Sequence, residues 1–500
     1  MDRVLIIATL GFALVFFIVR QGTRITKERA YEILIAIYTF SCCFTMLYVP
    51  IFKVATETEG SFGASLSIWP FYVLSVLLIW IIAREKRWRI RRPNLWLFFI
   101  FAGYAVYTLL NPYNPSRGQT VVATFFLISF AVFMYLFTNT FTVKNVVNGI
   151  FMGLAATVIL HFLLAMCYPV LGMENVVKLY VKEASSRSVE RIGANCTMGH
   201  PNVLGTYASY YFIFFVATYI TAYKRRESLV FAGMSFLVIV LSASRSALLA
   251  SFFSLLAVAA LYVLRRYRLM SFQSIFKGII PLGIIIALLL TGPLSFLFSN
   301  VDDLDEMTTS RLMHYYCGYE IFIDHPIVGV GLNSHLVYLV ENSSAVMFEQ
   351  IFDTADIYQP EEFMFSNPIH NIWIILIDEL GILGFLPILC FVVWYIATFK
   401  LRTRRSRNRY YNILNMSGLG VICCWLVQGN TDWAPLTPQV LSLSLMFIAL
   451  SLNRHYAAEE HPEFESVEAA RQRLLEMSAR EEQEEQDEEQ EQPSLSTVTS

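Results

Sequence analysis

Apolar runs of about 17 to 22 residues recur along the whole chain, and each is long enough to cross about 30 Å of hydrocarbon. They predict about thirteen spans, at roughly 4–19, 31–52, 65–83, 95–110, 120–138, 148–170, 203–222, 229–243, 246–264, 278–298, 370–399, 411–429 and 438–453. The first, Val4 to Val19, has neither a basic start nor a small-residue cleavage site, so it reads as a retained span. The pattern breaks in one place, from Phe298 to Ile369, a segment too long for a connector and too rich in aromatic and aliphatic residues for disorder. Within it, Leu312, Tyr315, Tyr316, Tyr319 and Ile323 recur at helical spacing, which predicts an amphipathic helix over Ser310 to Ile323. Pro326 and then Gly329-Val330-Gly331 end that helix in a turn.

The chain therefore divides into a membrane region at 1–298, a large loop at 299–369, a second membrane region at 370–455 and a tail at 456–500. The fold class is an all-α polytopic membrane protein of about 12–13 transmembrane helices. Composition agrees: 56% of residues are hydrophobic and 15% charged, against about 25% charged in soluble domains. The net charge of −2 conceals a separation, because the Glu/Gln-rich tail is strongly acidic and reads as disordered. Basic clusters at Arg20 to Arg29, Arg84 to Arg92, Lys224 to Arg226, Arg265 to Lys277 and Lys400 to Arg409 all fall on one side of the predicted bundle. By the positive-inside rule that side is cytoplasmic, with the N-terminus outside and the C-terminus inside. Six of the eight cysteines lie in apolar runs; Cys196 and Cys317 fall in external loops and are candidates for a disulfide.

The outer face then holds His200, His314, His325, His335 and His370. Pro368 keeps its predecessor out of a helix, so a helix starts at about His370, with Asn371 beside it and free N–H groups turned outward as a seat for an anion. A His there either takes a proton from an incoming hydroxyl or rests at headgroup level. Arg245, in Ser242-Ala243-Ser244-Arg245-Ser246, stands between two spans with almost no loop. It is either a phosphate-gripping fork or a snorkelling side chain. Arg311 is the one Lys or Arg in the large loop and faces a dozen acidic residues, so it pairs with them or with phosphate. Arg191, His200 and Asn202 sit just before a span, as substrate contacts or caps. Asp378 and Glu379 follow the apolar Ile372 to Ile377 and stay near the interface if this segment is a short tilted helix. His161, in mid-span, reads as a packed core residue. No phosphate-binding glycine loop, dinucleotide fingerprint or zinc spacing occurs, and no metal, cofactor or nucleic acid is expected.

Arginines and one basic His on a single membrane face suit an amphiphilic substrate bearing phosphate, with a sugar to be moved. A diphosphate leaves as a stable anion, so the site needs cations to hold it and a base for the acceptor hydroxyl. The stretch His370-Asn371, nine residues, then Gly381-Ile382-Leu383-Gly384 resembles the His-[Asn/Ser/Gln]-x9-Gly-x-x-Gly pattern of the bacterial O-antigen ligases and polysaccharide polymerases. Gly199-His200-Pro201-Asn202, Ser244-Arg245-Ser246-Ala247-Leu248-Leu249, and Arg311 leading to His325-Pro326-Ile327-Val328-Gly329-Val330-Gly331 follow the family's order over about 190–400. The resemblance implies a GT-C-like bundle in the bacterial plasma membrane. It also implies metal-independent, inverting transfer of a glycan from undecaprenyl diphosphate to a glycan, lipid or protein acceptor on the outer face. In that picture Arg245, Arg191 and Arg311 grip the diphosphate and His370 activates the acceptor. His200, Asn202, Asn371 and Glu379 are further substrate-binding candidates. The span count of thirteen and the acidic tail depart from the family's usual twelve spans with both ends inside. A lipid-linked oligosaccharide flippase is the competing expectation, although the chain shows no internal repeat of the kind transporters carry.

Overall fold

In hydrocarbon every backbone N–H and C=O must be satisfied within the protein, so uninterrupted Leu, Ile, Val and Phe resolve into helices. The computed structural model describes residues 26–44, 49–53, 65–84, 95–171, 193–266, 314–342, 368–405 and 408–458. The predicted spans at 4–19 and 278–298, Arg191, Arg311 and the acidic tail lie outside these residues.

The described helices are α1 (Lys27–Ser41), α2 (Pro70–Arg84), α3 (Leu95–Leu109), α4 (Arg117–Thr140), α5 (Val143–Leu171), α6 (Pro201–Ile220), α7 (Arg225–Leu241), α8 (Arg245–Arg266), α9 (residues 314–324), α10 (His335–Asn342), α11 (Ile372–Arg405), α12 (Arg409–Gln428), α13 (Pro438–Ser451) and the short α14 (Arg454–Ala458). Five of them carry segments long and apolar enough to cross a membrane: Arg117–Thr140, Val143–Cys167, Pro201–Ile220, Ile372–Phe399 and Arg409–Gln428. Four shorter apolar helices accompany them, in α2, α3, α8 and α13. The protein is an all-α polytopic membrane protein, with one small exception.

That exception corrects the expected span at 31–52. Helix α1 stops at Ser41, where the Cys42 N–H turns back to the Tyr38 carbonyl and the Cys43 N–H to Phe40, tightening the last turn. Strand β1 (Val49–Lys53) then pairs antiparallel with β2 (Ser65–Ile68). Pro50 has no N–H to continue a helix, and the strand register is irregular between Pro50 and Phe52. The expected disulfide is also absent: Cys196 and Cys317 are both free and buried, and the Cys196 thiol donates to the His161 carbonyl at 3.4 Å. His161 is a buried core residue as expected, with Nε2 2.8 Å from the Thr197 hydroxyl.

Polar groups tie the bundle at both ends. At one, Arg29 pairs with Glu32 at 2.8 Å, Asn148 donates to the same carboxylate, and Tyr223 donates to Asn148. Arg409 there reaches the Thr221 carbonyl at the end of α6. The other end holds the starts of α4, α6, α8, α11 and α13, and helix α11 is broken just inside it. Gly381 has φ 60° and ψ −176°, outside the helical range, and α3 contacts a carbonyl on each side of the break. Tyr107 donates to the Leu380 carbonyl at 2.7 Å and Tyr104 to the Gly384 carbonyl at 2.6 Å.

A half-buried carbonyl left unmet costs about 1–3 kcal/mol. Tyr107→Phe keeps the ring and deletes only that donor, so it is expected to lower the melting temperature of detergent-solubilised protein by several degrees. Tyr113→Phe, whose hydroxyl carries no such bond, is the control. An unchanged melting temperature for Tyr107→Phe would remove the proposed link between α3 and the break.

Candidate active site

The broken helix creates a backbone edge, and the large loop pairs with it. Val330 N–H donates to the Asp378 carbonyl at 2.9 Å and Gly331 N–H to the Glu379 carbonyl at 2.8 Å. Beyond the break, Ile382 and Leu383 N–H groups donate to the Pro326 and Ile327 carbonyls at 2.9 and 3.2 Å. Asn111, at the end of α3, donates to the Val328 and Gly329 carbonyls at 3.2 and 2.8 Å. Residues 326–331 are thus stitched to both sides of Gly381. Helix α9, immediately before them, is held against the start of α11.

At that start the structure corrects the expected anion seat. Helix α11 begins at Ile372, not His370, because the Asn371 carbonyl oxygen of the side chain accepts from the Trp373 and Ile374 N–H groups at 2.9 and 3.2 Å. The Ile372 N–H donates to the Gly429 carbonyl at 2.8 Å. The helix mouth is capped by its own chain, so its first N–H groups are not open to an anion.

His370 is half-buried beside this cap. Its ring stacks on His314 of α9, with centroids 5.1 Å apart and planes 8° from parallel. His314 is 2% exposed, and burial, with the neighbouring His370 and His335, pushes its pKa down from 6.5 to about 3. One carbonyl, that of Asn430, gathers three elements: it accepts from the Tyr315 hydroxyl at 2.9 Å and from Asn371 Nδ2 at 3.3 Å. Ile369, Ile372, Ile375 and Leu436 form a small apolar cluster beneath, flanked by Trp373, Trp425 and Trp433.

The other predicted site residues lie around the same turn. His200 caps α6, Nδ1 accepting from the Asn202 N–H at 3.1 Å, with Pro201 as the first helical residue. Asn202 Nδ2 donates to Asp432, two residues after Asn430, and Asp432 also accepts from the Ala434 N–H at 2.9 Å. Arg245 is half-buried at the first position of α8, after a turn in which Ala243 has φ 53°. The Ala194 N–H donates to Leu241 at the same turn. Gly205 of α6 lies directly against Ser242, Ser244 and Ala247. Glu379 faces inward, accepting from His335 Nδ1 at 2.6 Å with both side chains buried. The structure therefore joins the elements carrying His200, Asn202, Arg245, His370 and Asn371 through α6 and the 428–432 turn, and sets Glu379 one layer deeper. Among the described residues no group of three or more His, Cys, Asp or Glu is arranged to hold a metal ion.

Sequence reasoning missed His314, Asn430 and Asp432 as parts of this cluster. The signal for His314 was present in its spacing: residues 314 and 318 share a helix face, and 318 is glycine.

Among the described residues, then, a helical membrane bundle carries a broken helix, a loop sewn into the break and an imidazole beside it, with the candidate site at one end. Residues 229–389, about a third of the chain, match the model of the family described as O-antigen ligase. The matched segment contains Arg245, α9, the stitched loop, His370 and the Gly381 break. No curated protein matches the chain. The family is one of ligase- or polymerase-type glycosyltransferases that use lipid-linked glycans.

At Gly381 a Cβ would lie 2.3 Å from the Ile327 carbonyl oxygen and 2.5 Å from the Val328 nitrogen. Gly381→Ala is expected to cost at least about 1–3 kcal/mol from the positive φ alone, read as a fall in melting temperature and faster proteolysis between residues 326 and 342. Wild-type values in both measurements would mean that the loop does not depend on the break.

His314 supplies a pH dependence. The folded protein keeps it neutral while the unfolded chain protonates it below about pH 6.5, so unfolding takes up a proton between about pH 6.5 and 3. Its contribution to stability is complete above about 6.5 and declines as the pH falls towards 3. His314→Phe is expected to flatten this acid limb in thermal melts recorded from pH 7 to pH 4.

Proposed function

We propose that the protein is a metal-independent, inverting glycosyltransferase of the ligase or polymerase type. It moves a glycan from undecaprenyl diphosphate to an acceptor hydroxyl at the extracytoplasmic face of a bacterial plasma membrane. The observation that carries this reading is the position of His370: half-buried, at the mouth of an apolar helix, within the matched family segment and at the end of the bundle that also presents Arg245. The cationic end formed by Arg29, Arg402 and Arg409 is the opposite one, and the positive-inside rule supports assigning it to the cytoplasm.

In the proposed reaction the acceptor oxygen attacks the anomeric carbon from the face opposite the diphosphate. The new C–O bond forms as the bond to the diphosphate breaks, inverting the centre. The acceptor proton passes to His370 Nδ1 or Nε2, and the electron pair leaves on the diphosphate oxygen. Arg245, with Arg191 and Arg311, neutralises that leaving anion; guanidinium forks match phosphate oxygens in pairs. With the α11 N–H groups engaged by Asn371 and Gly429, the arginines are the natural cations for this task. The acceptor is a glycan, a lipid-linked core or a protein hydroxyl. His200 and Asn202 line the approach, and Asn371 and Glu379 hold the machinery in place.

Purified protein in nanodiscs, given a lipid-diphosphate glycan and an acceptor, is expected to release undecaprenyl diphosphate. His370→Ala and Arg245→Ala are each expected to reduce that rate by about 100-fold or more, within the range for losing a general base or a charge-stabilising group. EDTA is expected to leave the rate unchanged. Release that survives both substitutions would overturn the assignment, and movement of intact lipid across the bilayer without glycan transfer would establish the flippase instead.

A further inference from the structure

The stacked His pair joins two elements far apart in sequence, and its geometry is set by the helix faces beneath it. On α11, residues 374 and 378 are one turn apart, with His370 just before the helix begins; on α9, residues 314 and 318 are likewise one turn apart. The two faces meet in register: His314 lies on His370, and Gly318 lies on Ile374 and Asp378. The fit at Gly318 is close. A Cβ there would stand 2.2 Å from Ile374 Cγ2 and 2.8 Å from Asp378 Oδ2. A glycine at this point lets α9 approach to the distance at which two imidazoles one turn earlier can stack.

We propose that His314 is a positioning residue for His370, holding its ring from the large loop so that docking of α9 and orientation of the base are one event. The proposal rests on the reading of His370 as the base. The contact is plane to plane, so it fixes the tilt of the His370 ring and covers one of its faces. His314 is also suited by its electrical state. Buried, with His370 and His335 as the ionisable neighbours that act on it, it stays neutral through the working pH range. A proton arriving on His370 therefore meets no second imidazolium in contact with it. The Tyr315 hydroxyl on the Asn430 carbonyl anchors α9 beside this contact, and the stitched turn at 326–331 anchors its far end.

The test compares wild type, His314→Ala and His314→Phe in nanodiscs by two readouts. One is steady-state transfer with separate kcat and donor KM; the other is the rate at which diethylpyrocarbonate modifies His370 in the resting protein at pH 7, read by peptide mass spectrometry. His314→Ala is expected to lower kcat by tenfold or more with donor KM within twofold, and to speed modification of His370 severalfold as the covered face opens. His314→Phe, which restores a flat ring without ionisable nitrogens, is expected to return both values to within about threefold of wild type. Wild-type kcat and wild-type reactivity in His314→Ala would overturn the proposal. So would a His314→Phe protein as slow as His314→Ala with His370 still protected, because the requirement would then be for the nitrogens at 314 and not for the stack. Should wild type transfer no glycan, the functional reading fails, and the modification rates alone still judge whether His314 holds His370.

Discussion

Everything at the candidate site depends on one interruption in one helix. A continuous α11 would satisfy its own backbone and offer nothing to a loop. The break at Gly381 leaves carbonyls at Asp378, Glu379 and Leu380 and N–H groups at Ile382 and Leu383 to be met from outside. In a membrane such groups cannot turn to lipid, so the interruption persists only with dedicated partners. Residues 326–331 and Tyr107 of α3 are those partners. The apparent defect is the attachment point of the large loop.

That attachment explains how a long connection can contribute to precise chemistry. Loops carry function when a rigid scaffold positions them. Here the scaffold is backbone pairing across the break, supplemented by Asn111 from α3 and by the Asn430 carbonyl from the turn after α12. Helix α9 is therefore held at both ends, and His314 reaches His370 with a geometry that a free loop would not maintain. The same turn after α12 extends to Asp432 and Asn202, connecting the cap of α6 to the mouth of α11. Arg245 joins from the hairpin of α7 and α8, packed on α6 at Gly205.

The site's histidines have sharply different surroundings, and the difference sorts their roles. His335 is fully buried and bonded to Glu379, a structural pair inside the loop attachment. His325 stacks on Tyr113 and meets Tyr338 edge-on, fastening the loop to the connection after α3. His200 is a helix cap. His314 is buried and neutral, and His370 alone of the set combines partial exposure with a place beside the helix mouth. Residue type by itself made them equivalent.

Much of this protein was determined by local chemistry along the chain. Apolar run length dictated membrane helices, since no other open structure survives in hydrocarbon. The His-Asn pair, the nine-residue interval and the Gly-x-x-Gly located the helix mouth and its break, because an amide can cap and a glycine can take positive φ. Pro326 and the two glycines after it marked the end of α9. Tertiary structure decided what those signals were for. Only folding could show that Asn371 consumes the N–H groups an anion was expected to use, that Glu379 turns inward to His335, and that Pro50 lies in a strand after α1 has already ended. Only folding could bring His314 onto His370, because the contact depends on two helix faces more than fifty residues apart in sequence meeting at a glycine. Periodicity reports which face of an element is apolar; which other face it meets is set by the whole bundle.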